Sequence, residues 1–452
     1  MNTLPKFLFL FQSIPIFINN TFFKKLHKLI SSFIWNKKTP RIRKDFLQRP
    51  KSEGGMGLPH FKFYYWACNL RALSFWPRDY IPAWLHIEKK CCSPTSLSAL
   101  LFSALPTTYS YSVNNPIVSQ SLRIWSSIRK CFGWHFGSLR APLIANHLFA
   151  PSLSDTKFSE WYNKGIHSFR DLFIVDKFPS FQQLQTKFDL PHSHHFRYLQ
   201  LRDFVRKNTK SFPNLPDSTP MDSIFLPNPL TKGGISTLYN ALSCLNGATS
   251  LDHLKTATIN DLGTVITDEL WTGALKRVHS SSVCARHGLL QFKVLHRLHL
   301  SKVKLCRMYP NINPACDRCG QSPASLAHMF WHCPRIVIYW QKIFQSFSDI
   351  MGRVVDPSPL TAIFGVKEPG LVLSSCQYTM ITFISLLARR LILLNWKQAR
   401  PPAHSALLKD VMQHLQLEKI KFSLRGCEDK FHQIWNPFID YFNRSKPTLP
   451  AI

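Results

Sequence analysis

Cys316-Asp317-Arg318-Cys319 is followed by Ala327-His328-Met329-Phe330-Trp331-His332-Cys333-Pro334, so three thiols and two imidazoles fall within one short segment. Thiolate and imidazole are the ligands that tetrahedral zinc takes, and a Cys-x-x-Cys pair sets two of them on a single tight turn. Gly320, directly after the pair, lets the chain fold back on an ion. Cys316, Cys319, His328 and Cys333 together fill four positions, which describes a closed structural Zn2+ site rather than a catalytic one that keeps a place for water. His332 is the rival ligand, because His328 and His332 stand one helical turn apart. Cys333 is preferred over it, since a thiolate is the stronger zinc ligand. The enzymatic alternative is a zinc hydrolase that uses the same cluster with one position open. If zinc binds, its binding energy becomes folding energy, on the order of 10 kcal/mol, for a small module with little core of its own.

The approach to this cluster is cationic. From Lys276 to Arg307 there are eight Lys or Arg, four His and no acid. On a helical projection Arg286, Lys293, Arg297 and Lys304 share one face, while Leu290, Val294, Leu295 and Leu298 lean to the other. The spacing predicts one continuous helix that buries one side and offers cations to phosphate on the other. A second basic run lies between Lys24 and Lys51, with ten Lys or Arg against the single acid Asp45. Lys37, Lys38, Arg41, Arg43 and Lys44 are its candidate phosphate contacts. Over the whole chain 56 Lys and Arg face 25 Asp and Glu, a net charge of +31. An excess of that size repels itself unless a polyanion neutralises it, and nucleic acid is the first such partner to consider.

With 45% hydrophobic and 13% aromatic residues, a chain of 452 residues can bury two or three cores. Helical spacing dominates, so the expected fold class is predominantly α: multi-helix domains with a small zinc-stabilised C-terminal module. Phe22, Leu26, Leu29, Ile30 and Phe33 mark a helix over Thr21 to Trp35. The Gly54-Gly55-Met56-Gly57 stretch lacks the Gly-Lys-Ser/Thr ending of a phosphate loop and reads as a turn. Short helical patterns with Pro- and Ser-rich loops fill 61–249, with connectors at 105–116 and 212–229. Tyr64, Tyr65, Trp66, Phe75 and Trp76 read as core aromatics, and His194 and His195 as surface residues. The three expected segments are 1–60, 61–249 and 250–452. Twelve scattered cysteines fit a reducing compartment, cytoplasm and nucleus, better than a secreted disulfide scaffold. Lys6 to Ile18 is apolar, but Pro5, Pro15 and the lysines after it argue for folded structure over a signal peptide. Leu371 to Ala388 lacks formal charges yet carries Ser, Thr and Gln, which favours a core helix over a membrane span. No membrane partner is expected.

Motifs of catalysis are missing. There is no aspartate pair at an apolar hairpin tip to hold two magnesium ions, no Gly-x-Ser-x-Gly elbow, no P-loop and no His-Glu-x-x-His. The sequence therefore points away from an enzyme.

Several segments carry a resemblance. Met1-Asn2-Thr3-Leu4-Pro5-Lys6-Phe7-Leu8, Ser32-Phe33-Ile34-Trp35, Pro40-Arg41-Ile42, Gly54-Gly55-Met56-Gly57-Leu58-Pro59 and Tyr64-Tyr65-x-Ala67 open it. Phe196-Arg197-Tyr198-Leu199-Gln200-Leu201, Lys293-Val294-Leu295-His296-Arg297, the cysteine cluster and Ala388-Arg389-Arg390-x-Ile392-x-x-x-Trp396-Lys397 continue it. Together they resemble the part of vertebrate LINE-type (non-LTR) retrotransposon reverse transcriptases that follows the polymerase palm, over nearly the whole chain. The resemblance implies the end of a thumb, a helical wrist and a C-terminal domain whose zinc-knuckle-like motif falls on Cys316, Cys319, His328 and Cys333, and it favours Cys333 as the fourth ligand. Met1 matches an internal methionine of that family, as in a truncated copy without the endonuclease and palm. The implied role is to grip template RNA, with target DNA as a second nucleic acid and other retrotransposon proteins as partners. A non-functional remnant is the remaining alternative.

Overall fold

A computed structural model describes residues 3–13, 15–78, 82–104, 115–174, 177–208, 220–225, 227–247, 249–368 and 370–445. The fold is nearly all helical, 64% helix and 1% strand, so helix packing alone positions the candidate site. Among the described residues β structure is confined to isolated bridges such as Pro142 with Ser168. The chain forms two compact units, Met1–Lys38 with Pro59–Ala248, and Thr39–Leu58 with Thr249–Ile452. The first sixty residues, expected as one segment, therefore divide between them. Of the two expected connectors, 105–116 and 212–229, residues 105–114 and 212–219 lie outside the described residues, as do Met1 and Asn2, and Pro220–Phe225 in the second is a short helix rather than loop.

In the first unit α1 (Thr3–Ser13), α2 (Asn20–Ile34), α3 (Phe61–Leu73), α4 (Pro116–Phe132) and α5 (Gly234–Leu245) are the longer helices around an aromatic core. α2 starts where the Asn19 side chain accepts the Phe22 N–H at 3.0 Å, supplying one of the bonds a helix start lacks. α3 is buried on nearly every side, with Trp66 and Leu70 at its centre. The Tyr65 hydroxyl donates to the Ile16 carbonyl at 2.7 Å and accepts from the Ile18 N–H at 3.0 Å, tying the α1–α2 connection to α3. His194 departs from expectation. It is buried, accepting from Trp161 Nε1 at 3.1 Å and lying 3.4 Å from Glu160, because the indole N–H needs an acceptor inside the core.

The second unit contains α6 (Asp252–Leu262), α7 (Asp268–Ser280), α8 (Ala285–Leu295), α9 (Lys302–Met308), α10 (Pro334–Met351), α11 (Pro359–Phe364), α12 (Ser375–Leu394), α13 (His404–Ser423) and α14 (Glu428–Arg444). Trp340, Phe347, Ile381, Leu387, Val411 and Trp435 lie in one continuous core. α12 is long and apolar enough to cross a membrane, yet most of it is buried here, and Ser374 with Gln377 closes its start as a capping box. Its fully buried Arg389 donates to the Ala362 carbonyl at 2.5 Å, and Arg390 clamps Asp410 with two bonds of 3.0 and 2.9 Å.

The glycine turn is a packing device. Gly54 has φ +75°, and an added Cβ would lie 2.7 Å from Leu275 on α7. The bared carbonyls of Gly54 and Gly55 then meet His296 Nε2 at 2.8 Å and His279 Nε2 at 2.7 Å. Segment 39–58 is thereby fastened to α7 and to the end of α8. Its basic residues travel with it.

Candidate metal centre and adjoining basic cluster

The Cys316–Cys319 turn is closed by the Gly320 N–H bonding to the Cys316 carbonyl at 2.9 Å, with Gly320 at φ +75°. This left-handed step turns the chain back, and the Cys316 N–H then bonds to the Gln321 carbonyl at 2.9 Å. The other half of the cluster depends on a π-helical turn, His328–His332. There the Cys333 N–H reaches five residues back to the His328 carbonyl at 3.0 Å. One extra residue in the turn brings residue 333 over residue 328, where an α-helix would have stacked 332. His332 is left exposed, its Nε2 3.0 Å from the Asp261 carbonyl. Backbone geometry thus brings Cys333, and not His332, into the cluster.

The ligand atoms of Cys316, Cys319, His328 and Cys333 all lie within 4.8 Å of one another. Cys316 Sγ is 4.0 Å from Cys333 Sγ, and Cys319 Sγ is 3.3 Å from His328 Nε2. A disulfide requires about 2.0 Å. A zinc tetrahedron with bonds of about 2.3 Å has sulfur–sulfur edges of about 3.8 Å. A sulfur–nitrogen edge, with its shorter zinc–nitrogen bond, is about 3.6 Å. Each separation lies within a few tenths of an ångström of its edge, and this buried group could hold a metal ion such as zinc.

The electrostatics act differently on Cys316 and Cys333. Burial pushes the Cys316 thiol up, but the N–H groups of Arg318 and Cys319 and the thiols of Cys319 and Cys333 outweigh it, leaving its pKa below the ordinary value. Burial raises Cys333 to about 11, even though the Ile336 and Arg335 N–H groups at the start of α10 point toward its sulfur. Burial lowers His328, with His332 and Arg318 adding to the effect, so its ring is neutral and able to ligate near pH 7. Arg318, also buried, lies among the three thiols and donates to the carbonyls of Ile392 and Asn395 at 3.2 and 2.8 Å. These are acceptors at the C-terminal end of α12, where the helix itself leaves carbonyls unpaired. The knuckle is therefore wedged between the start of α10 and the end of α12. Cys316 and Cys333 belong to the large core of this unit, not to a small separate one.

The predicted single helix from Arg286 to Lys304 breaks. α8 ends at Leu295, Arg297 takes φ +54°, and α9 begins only at Lys302, capped by Ser301. The Leu298 N–H bonds to the Lys293 carbonyl at 2.8 Å and the Arg297 N–H to Val294 at 3.0 Å, a Schellman ending. A left-handed arginine is held there by its partners: Arg297 pairs with Asp261 at 2.5 Å, and His296 is fixed on Gly54.

The break still gathers cations. Arg41, from the segment tied down by the glycine turn, donates to the Leu298 carbonyl at 2.5 Å, and Lys304 Nζ donates to the Arg297 carbonyl at 3.3 Å. Burial holds Lys304 below the usual lysine range, with Arg41 and Arg297 adding to it. His299 is lowered to about 4 by burial, then by Lys293, Arg41 and Lys304. Arg41, Lys293 and Lys304 thus converge around His299, with Arg297 held on Asp261 beside Lys304. Arg286, exposed in the first turn of α8, lies more than a turn from Lys293. Arg43, paired with Asp45 at 3.1 Å, and Lys44 are exposed on the same tied-down segment. Lys37 and Lys38 belong to the first unit and are exposed just after α2.

The basic group adjoins the metal candidate. Asp261 takes Arg297 on its carboxylate and His332 on its carbonyl, and the His299 and Phe330 rings are 6.1 Å apart. Lys302 pairs with Asp317 of the knuckle at 2.8 Å. Asp261, His299 and Arg318 carried no sequence signal beyond their types, because their roles depend on partners far away in the chain. Compared with models of known protein families, the chain matches none.

Proposed function

We propose that this protein binds nucleic acid, RNA first and DNA second, through cations that a structural zinc ion helps to place. It corresponds on this reading to the region after the palm in a LINE-type reverse transcriptase, and it catalyses no reaction itself. The observation that carries the proposal is the convergence of Arg41, Lys293 and Lys304 around His299, with Arg297 next to Lys304, beside the Cys316/Cys319/His328/Cys333 group. Lys304 and His299 both have their protonated forms disfavoured there, first by burial and then by neighbouring cations, Arg41 among them in each case. A phosphate backbone would relieve that repulsion. The four-ligand donor set favours a structural ion, since it leaves no position for a water nucleophile. Zinc would be held by the three thiolates and the neutral His328 ring, and would supply a cross-link within the fold.

Filter binding of the purified chain to single-stranded RNA at two salt concentrations tests the proposal. Three or four phosphate contacts predict a loss of affinity of about 20- to 50-fold between roughly 50 and 200 mM salt. Affinity that is undetectable at low salt, or indifferent to salt, would count against it.

A further inference from the structure

The first unit holds a cavity of about 510 Å³. That is within the range of small-molecule sites, which are mostly apolar with a few placed polar groups. Phe75, Trp76 and Trp84 line it, together with Glu88 and Arg71. Glu88 comes from the helix Ala83–Cys92, on the face that also buries Leu85 and Cys92. It is 7% exposed, and Trp76 Nε1 donates to its Oε2 at 3.0 Å. Among the described residues it has no other hydrogen bond and no ion pair, although the chain carries 56 Lys and Arg. Its other oxygen, Oε1, has no hydrogen-bond partner within the protein, so on the wall of this cavity, among aromatic rings, it is an acceptor open to a ligand donor. Burial raises its pKa, as desolvation without a cation must. Trp84 is 40% exposed and meets Phe75 edge to face, so an indole borders the cavity where solvent reaches it.

We propose that this cavity takes the base of an unpaired guanine nucleotide, with Glu88 accepting its N1–H and 2-amino protons, Trp84 stacking on it and Arg71 facing its phosphate. Guanine alone among the common bases presents two adjacent donors on its pairing edge, which a carboxylate can accept side by side. Adenine, cytosine and uracil each place an acceptor next to their donor and would set it against Glu88. Aromatic stacking adds affinity without choosing between bases. A cationic ligand would also suit a carboxylate, but Arg71 on the same wall and the net charge of +31 oppose it. Nucleotides as the ligand class rest on the nucleic-acid reading above, whereas the choice of guanine rests on Glu88.

Isothermal titration of the full chain with GMP, AMP, CMP and IMP tests this. GMP is expected to saturate one site at least about 10-fold more tightly than AMP or CMP, as one good bidentate contact implies. IMP, which keeps N1–H and lacks the 2-amino group, is expected to fall between. Glu88→Gln should bring GMP down to the AMP level, because the carboxamide turns an N–H donor toward the base. Trp84→Ala, at a partly exposed position, should weaken all four alike; circular dichroism checks both folds. Equal affinity for GMP and AMP, no saturable GMP binding, or a GMP preference that survives Glu88→Gln would overturn the proposal. If Glu88→Gln does not fold, the ranking of GMP, IMP and AMP on the parent chain decides by itself. Loss of polymeric RNA binding with GMP selectivity intact would sink the nucleic-acid interface and leave this site standing.

Discussion

Replacing Cys316 by alanine separates a metal ligand from an ordinary buried thiol by magnitude alone. Cys316 is 9% exposed within the core of its unit, so as a packing residue its truncation removes one sulfur atom and should cost about 1 kcal/mol. As a zinc ligand it belongs to a site whose binding free energy is on the order of 10 kcal/mol, comparable with the whole stability of a domain at about 5–15 kcal/mol. For a unit of about 200 residues, 1 kcal/mol moves the melting temperature by roughly 2–4 °C. The packing role therefore predicts a shift of a few degrees. The ligand role predicts a shift beyond about 20 °C or a unit that does not fold. The damage should spread, since Cys333 stands at the start of α10 and Arg318 satisfies carbonyls at the end of α12. Far-ultraviolet circular dichroism on heating, with and without a chelator, and elemental analysis of the pure protein read both quantities. Cys131→Ala, at an exposed thiol, is the control. A parent protein that carries no zinc, with Cys316→Ala melting within a few degrees of it, would refute the structural-metal reasoning.

Three further outcomes follow from the geometry of the second unit. Lys293→Gln and Lys304→Gln together should flatten the dependence of RNA affinity on salt by about 1.4 in log–log slope, two contacts at about 0.7 each; an unchanged slope in filter binding places the phosphate elsewhere. Gly54→Ala, at φ +75° with its new methyl 2.7 Å from Leu275, should destabilise the unit by about 1–3 kcal/mol in denaturant unfolding, and an unmoved midpoint would contradict the packing role of the turn. His287, lowered to about 4 by burial and then by His414 and Arg390 against the pull of Asp410, also has its ring 3.0 Å from the Ser282 hydroxyl. Because the folded pKa lies below the unfolded value of about 6.5, the unfolded chain takes up the proton first. Its contribution is full above about pH 6.5 and falls by up to roughly 3 kcal/mol as the pH drops toward 4. Unfolding at several pH values should show the decline in the parent and less of it in His287→Gln; identical profiles would exclude His287 as a source.

The helical class and the cysteine cluster were legible because both are local. Helical periodicity needs only neighbours, and Cys316, Cys319, His328 and Cys333 lie within one short segment. What escaped was set by long-range partners. No glycine or proline marks the break at Arg297; it depends on Asp261 and on Gly54, hundreds of residues away in the second case. The apolar and basic stripes continue across it as though the helix did. The split of residues 1–60 escaped for the same reason, since the carbonyls of Gly54 and Gly55 select their unit by meeting His296 and His279. His194 read as a surface residue because nothing nearby in sequence announces the indole N–H of Trp161. Glu88 lies within an ordinary amphipathic pattern, and only the aromatic rings around it make it unusual.

The metal candidate and the cations are one mechanical assembly. α9, which carries Lys304, is a helix of only seven residues, too short to persist without tertiary contacts. Its contacts run to the knuckle: Lys302 pairs with Asp317, and the Val303 N–H bonds to the Ala324 carbonyl at 3.3 Å. On the other side, His332 of the π-turn holds the Asp261 carbonyl, and the Asp261 carboxylate holds Arg297 in its left-handed conformation. Removing a metal ion from Cys316, Cys319, His328 and Cys333 would loosen both attachments without changing a single basic side chain. Chelation should then lower RNA affinity and flatten its salt dependence together, as Lys304 and Arg297 lose their fixed spacing. A purely electrostatic surface predicts the opposite: taking away a divalent cation with three thiolates present alters the local charge but leaves the number of phosphate contacts, and hence the slope, unchanged. Filter binding across a salt series, before and after chelation, decides between a placed set of cations and a merely basic surface.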